Sequence, residues 1–212
     1  MEVASTPSLA DRLKLETAAL HREAESHPWQ RALLTGKVDR GVFAAHQAQM
    51  YLVQKELEAL LARERARGGA IGPVVRDYHF RAGLLESDLG ILGVSSRADL
   101  SPATAGFLGW LQGAVEAEPT AVLGVFYVLE GSTNGAKYIA KALERTLGLG
   151  VGAGLSYLDP HGEQLRPRWA QFRTDVDALP LSDEQRAAVV EAACRTFAYV
   201  SALMDELASP TA

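Results

Sequence analysis

Two short stretches hold residues whose types and spacing could do chemistry. In "LADRLKLETAALHREAESHP", His21 is followed one helical turn later by Glu25 and preceded two turns earlier by Lys14, all along one side of a helix. A metal-ligating imidazole commonly gives its second ring N–H to a carboxylate, and Glu25 at i+4 is placed for that, directly or through water. Lys14 lies roughly 10 Å along the axis at about 1.5 Å per residue. It suits an acidic group at the rim of a large planar ligand whose metal sits at His21. A helix histidine standing alone is more often structural; the carboxylate and the lysine in line with it favour a ligand.

The second stretch, "VLEGSTNGAKYIAK", puts Gly131 and Gly135 four residues apart within an otherwise helical segment, and each glycine costs about 1 kcal/mol against alanine. At about 100° per residue, Val122, Val125, Phe126, Leu129, Ala136, Ala140 and Leu143 share one sector, the expected core face. Gly124, Val128, Gly131, Gly135 and Tyr138 share another, roughly opposite. Either a neighbouring helix packs closely over the small residues, or a flat ligand lies against bare backbone. The glycine pair also lets the helix bend.

Other reactive residues offer less. His27, His46, His79 and His161 have no ligand spacing with acids, and no Glu-x-x-His pair occurs, which argues against a di-iron carboxylate bundle. Cys194 reads as a buried free thiol rather than a nucleophile, since no neighbour in sequence activates it. "DPHGE" at 159–163 reads as a turn, and "RERARGG" as a solvated helix end.

The elements that must position these residues are helices. Proline and glycine separate stretches of helical period, with almost no period-2 alternation, so the fold class is all-α, a single-domain multi-helical bundle. One helix is expected from an N-cap at Ser8 to about Ser26, before Pro28, and a second from about Asp39 to Arg65. Further helices are expected at 72–89, with Pro73 in the first turn, at 102–116 and at 119–147. After a loop at 148–166 holding five glycines, a short helix near 167–178 and a last one at 182–207, capped by Ser182, complete the chain. Residues 1–212 read as one domain, with 1–7 and 208–212 as flexible termini.

Composition narrows the function. The 212 residues are 48% hydrophobic and 22% charged with a net charge of −5, and the basic residues are scattered, so no nucleic-acid partner is expected. The longest apolar run, Ala121 to Leu129, falls far short of the roughly 20 residues of a membrane span. With one cysteine and no basic, apolar leader at "MEVASTPSLADR", the reading is a soluble cytoplasmic protein with no membrane partner.

Taken in order, "LKLETAALHREAE" and "FYVLEGSTNGAKYIAKAL" resemble heme oxygenase, in particular the bacterial biliverdin-forming branch found near phytochromes. The likeness continues through "GKVDRGVFAAHQAQMYLVQKELEALL", "WAQFRTDVDAL" and "ACRTFAYVSALMDEL". It implies heme b, both substrate and cofactor, sandwiched between a proximal helix supplying His21 as iron ligand and a distal helix whose Gly131 and Gly135 lie against the porphyrin. By the same resemblance Glu25 supports the ligand, Lys14 and Arg173 face the propionates, and Phe197 lines the pocket. The implied reaction is meso-carbon hydroxylation and cleavage of heme to biliverdin, CO and ferrous iron, using O2 and electrons from a ferredoxin or an NAD(P)H-dependent reductase. A phytochrome is the implied biliverdin acceptor. Where many members carry an aspartate after the first distal glycine, this chain has Ser132, which can still donate and accept. Asn134 stands where the branch usually has leucine, and Ala136 where it has glycine; Asn134 either borders the pocket or faces solvent. A heme carrier or sensor that keeps the fold without turnover is the alternative.

Overall fold

Side-chain caps set where the long helices begin. The structure, a computed structural model, describes residues 7–208. Ser8 Oγ accepts from the Asp11 N–H (3.3 Å) at the start of α1, Leu9–Glu16. Asp39 Oδ1 accepts from the Gly41 and Val42 N–H groups at the start of α4, Arg40–Ala66. Ser101 and Ser182 do the same for α6, Pro102–Ala117, and α9, Asp183–Ala208, by accepting from Thr104 and Gln185. Each such cap satisfies an N–H that the helix itself leaves orphaned.

Elsewhere the boundaries differ from expectation. The first helix is interrupted at Thr17, whose Oγ1 donates back to the Leu13 carbonyl (2.7 Å), and resumes as α2, Ala18–Ser26. Pro28 starts a helix instead of ending one: α3, Pro28–Thr35, has proline in its first turn, the Trp29 N–H donated to His27 Nδ1, and Gly36 at φ 69° as its C-cap. The stretch expected as a helix at 72–89 is two 3-10 turns, Gly72–Val74 and Asp77–His79, followed by α5, Ala82–Leu92. Glu58, from α4, caps α5 by accepting the Arg81 and Ala82 N–H groups. The remaining helices are α7, Val122–Leu147, and α8, Leu165–Asp177. Among the described residues there is no strand, only isolated bridges at Gly150. The expectation of flexible ends falls on residues outside those described, apart from exposed Pro7 and Ala208, the last residue of α9.

The broadest helix contact joins α7 to α9. It is close because a Cβ on Gly124 would lie 2.1 Å from the Val189 carbonyl oxygen and 2.7 Å from the Ala193 nitrogen. By length and composition α9 could cross a membrane. In this fold Val189, Val190, Ala192, Ala193, Tyr199, Leu203 and Met204 are buried in the core instead. The expected core face of α7 largely holds, with Ala136 only half-buried, and Leu20 is the half-buried member of the stripe through Leu9, Leu13 and Ala24.

Two glycines of α7 therefore respond oppositely to the same change. Gly124→Ala should destabilise the protein by about 1–3 kcal/mol through overpacking. Gly135→Ala, with no atom within 4 Å of the new Cβ, should hold or raise stability by up to about 1 kcal/mol. Urea unfolding of both variants checks this, and equal losses would contradict the packing described.

Candidate functional site

His21 projects from α2 with its ring half-exposed. Its Nδ1 lies 3.4 Å from Glu25 Oε2, the pairing expected from their spacing. A ring whose Nδ1 is turned to a carboxylate presents Nε2 on its opposite side. Phe197 of α9 meets the imidazole edge-on, with centroids 5.7 Å apart, and limits its rotation. The structure thus brings His21, Glu25 and Phe197 together. Cys194, one turn earlier on α9, is half-buried; burial and then Glu16 and Glu191 raise its thiol, as suits an unreactive cysteine.

Three contacts tie α1, α3 and Gly36 to α7. The Tyr127 hydroxyl donates to the Ala10 carbonyl (3.5 Å), joining α7 to α1, while α3 packs along α7 and Gly36 sits against Thr146. The chain between those anchors is α2, Ala18–Ser26. Among the described residues α2 and α7 make no extended contact; α2 instead rests on α9 and α3. The imidazole of His21 is half-exposed on α2, and Ser132 and Gly135 are open to solvent on α7.

The glycine sector does not act as one surface. Gly124 is a helix-packing glycine, and Val128 is buried. A Cβ on Gly131 would lie 3.2 Å from the Trp169 ring, so this glycine admits the α8 indole rather than standing bare. Gly135 alone of the three faces open space, and Tyr138 is 57% exposed. The three residues between Gly131 and Gly135 turn back on their own helix. Ser132 Oγ donates to the Leu129 carbonyl (2.8 Å), Thr133 Oγ1 to Glu130 (2.7 Å) and Asn134 Nδ2 to Gly131 (3.0 Å). Back-bonding of this kind bends helices. Asn134 is half-buried, with one N–H given to the Gly131 carbonyl.

The two expected cations stand differently. Lys14 is exposed on α1. Arg173 of α8 donates through Nη2 to Asp11 (2.9 Å), so the acid one turn before Lys14 already engages it. Its Nε is buried without a partner.

The comparisons bear directly on this arrangement. A family model described as Heme oxygenase matches residues 7–206. The chain belongs to the heme oxygenase family. Its fold is similar to that of heme oxygenase from Leptospira interrogans, with a TM-score of 0.86 at 24% identity over 94% of this chain and 100% of that one. It is also similar to heme oxygenase-1 from the cyanobacterium Synechocystis in complex with heme, at 0.84 and 19% identity over 95% and 93%. A domain of unknown function with a heme oxygenase-like fold from Shewanella denitrificans aligns at 0.74 and 15% identity over 96% and 93%. No curated protein matches significantly in sequence.

This member of the family also contains a buried charge cluster that the sequence did not disclose. Glu130, one residue before Gly131, accepts from His161 Nε2 at 2.7 Å and lies 3.3 Å from Arg81 Nη2, and all three side chains are buried. Arg168 reaches His161 Nδ1 (3.0 Å) and covers the Tyr78 ring. His161, in the "DPHGE" turn, is thus a core residue. Only helical phase offered a clue, since Glu130 neighbours the expected core position Leu129. Burial would raise the Glu130 carboxyl, but the His161 hydrogen bond and then Arg81 outweigh it and hold it below the ordinary value. "RERARGG" is likewise less solvated than expected: Glu64 is buried beside Gly69 and pairs with Arg67 at 2.9 Å.

Burial pushes the neighbouring His79 imidazole down to about 4, with Glu130 opposing and Arg81 reinforcing. Its folded value is below its ordinary 6.5, so between the two the unfolded chain takes up a proton that the folded chain refuses. Stability should fall as pH drops through that window, by up to about 1.4 kcal/mol per pH unit from this group. Glu130, held low, adds its own loss in more acidic solution. Urea unfolding at pH 7 and pH 5 should show the decline, and His79→Gln should flatten it. An unchanged slope in that variant would remove His79 as the cause.

Proposed function

We propose that this protein is a heme-degrading oxygenase in which His21 holds the iron of heme b between α2 and α7. The observation that carries this reading is a pair of uncovered groups: a half-exposed imidazole backed by Glu25 on α2, and open backbone at Gly135 on α7. A flat apolar ligand fits that pairing, because a Cβ at Gly135 would meet nothing now and would project into the space the ligand needs. Bound heme supplies an iron centre that activates O2, and is itself oxidised at a meso carbon to biliverdin with release of CO and ferrous iron.

The chain's own groups divide the work. The Nδ1–H of His21, directed to Glu25, fixes the tautomer in which Nε2 carries the lone pair for iron and makes the imidazole a better donor. Phe197 holds the ring plane. On the opposite side, the Ser132 hydrogen is committed to the Leu129 carbonyl, so its oxygen serves as an acceptor. A water held there keeps a hydrogen to donate into the space above the heme. Asn134 has likewise committed one N–H and retains Oδ1 as an acceptor. Gly135 leaves room for heme and O2, and Gly131 lets Trp169 close the site's edge. Lys14 and Arg173 meet the propionates, Arg173 while shared with Asp11. Electrons come from a ferredoxin or an NAD(P)H-dependent reductase, and a phytochrome is a suitable acceptor of the biliverdin, all in the cytoplasm.

His21→Ala should abolish tight axial ligation and turnover while the helical fold persists, since a half-exposed ring contributes a metal bond rather than core burial. Added imidazole should partly restore the wild-type resonance Raman and EPR spectra. Unchanged axial ligation in the alanine variant would remove His21 from the role.

A further inference from the structure

Arg81 is fixed from several directions. Its backbone N–H is donated to Glu58, its guanidinium lies over the Tyr157 ring with 5.3 Å to the centroid, and Nη2 is 3.3 Å from Glu130 Oε2. The same Nη2 donates to the Leu129 carbonyl at 3.3 Å. Tyr157 is held in turn, donating its hydroxyl to Gln54 Oε1 (3.0 Å) and its N–H to Asp88 Oδ2 (2.8 Å). Glu130 is anchored on its other side by His161, and His161 by Arg168. Since Nδ1 of His161 accepts from Arg168, Nε2 carries the hydrogen given to Glu130, which assigns the neutral tautomer.

Packing alone does not call for this assembly. A buried ion pair is often replaceable by apolar side chains of similar volume without loss of stability. What an apolar pair would lack is a donor for the Leu129 carbonyl. That carbonyl already receives Ser132 Oγ, and it begins the run of back-bonded residues that leads to Gly135. A carbonyl engaged from outside the helix is drawn away from the axis, and groups inserted against the ladder are a known cause of bending.

We propose that Arg81, oriented by Glu130 and His161, is a positioning residue for α7: by holding the Leu129 carbonyl sideways it sets the bend and height of the Gly131–Gly135 stretch over the heme. The second half of that statement rests on the heme reading of the site; the first does not.

The test uses two variants. Arg81→Met/Glu130→Leu removes both charges together, and Arg81→Lys keeps the charge with a shorter reach and without the planar fork. In the heme-free protein, amide hydrogen exchange at residues 131–137 should accelerate on the order of tenfold in both, while the buried amides of α4 and α9 exchange as in wild type. In the heme-loaded protein with carbon monoxide, the C–O stretching band should shift or broaden although the melting temperature of Arg81→Lys stays at the wild-type value. Wild-type exchange at 131–137 in both variants would overturn the pin. Faster exchange with an unmoved C–O band would overturn its link to the heme. If wild-type protein shows no His21-ligated heme, the heme reading fails, and the exchange measurement still decides whether Arg81 holds the helix. Should the double variant not fold, Arg81→Lys alone decides by the same outcomes.

Discussion

The approach of α7 to α9 at Gly124 governs the rest of the molecule. Because no side chain stands between Gly124 and the Val189 carbonyl, two of the long core helices lie backbone to backbone. With α7 seated so close, α1 and α3 reach it at its two ends through Ala10 and Gly36, and α2 is left bridging between them, supported by α9 rather than by α7. His21 on α2 and the backbone at Gly135 on α7 are both left uncovered in this arrangement.

Three glycines of one helix have three different physical roles. At Gly124 the absent side chain permits helix packing, at Gly131 it admits an indole, and at Gly135 it keeps a surface clear. The intervening Ser132 and Thr133 give their hydroxyl hydrogens, and Asn134 one of its two N–H groups, to carbonyls of the previous turn. Ser132, on the open face, is thereby left with its oxygen as an acceptor, while Asn134 keeps both a donor and an acceptor.

How far the sequence could be read follows the range of the interactions. Helices begun by their own side chains, at Ser8, Asp39, Ser101 and Ser182, were legible because cap and first turn are adjacent. The start of α5 was not, because its cap is Glu58 from another helix. Pro28 is ambiguous locally, serving equally to stop one helix or open the next. His21 and Glu25 were legible as neighbours on one turn; the resemblance implied Phe197 only as a pocket residue, and its edge-on contact with His21 comes from the packing of α9. The link of Glu130 to His161 spans 31 residues and has no local signature, so a core histidine was read as part of a turn. Likewise the wheel grouped Gly124 with Gly135, since helical phase records direction and says nothing of what the opposite helix brings.

The fold is shared by heme oxygenases solved in complex with heme and by a domain of unknown function, so the chemistry of this chain rests on its own site. An enzyme and a carrier would hold heme through the same His21; they part only when electrons and O2 arrive. The decisive measurement is the absorption spectrum of the heme-loaded protein during single turnover with a chemical or ferredoxin-derived reductant in air. The account predicts loss of the Soret band with growth of a bilin band as biliverdin forms. A Soret band that cycles between ferric and ferrous forms and persists would contradict it, and would leave a protein that binds heme without degrading it.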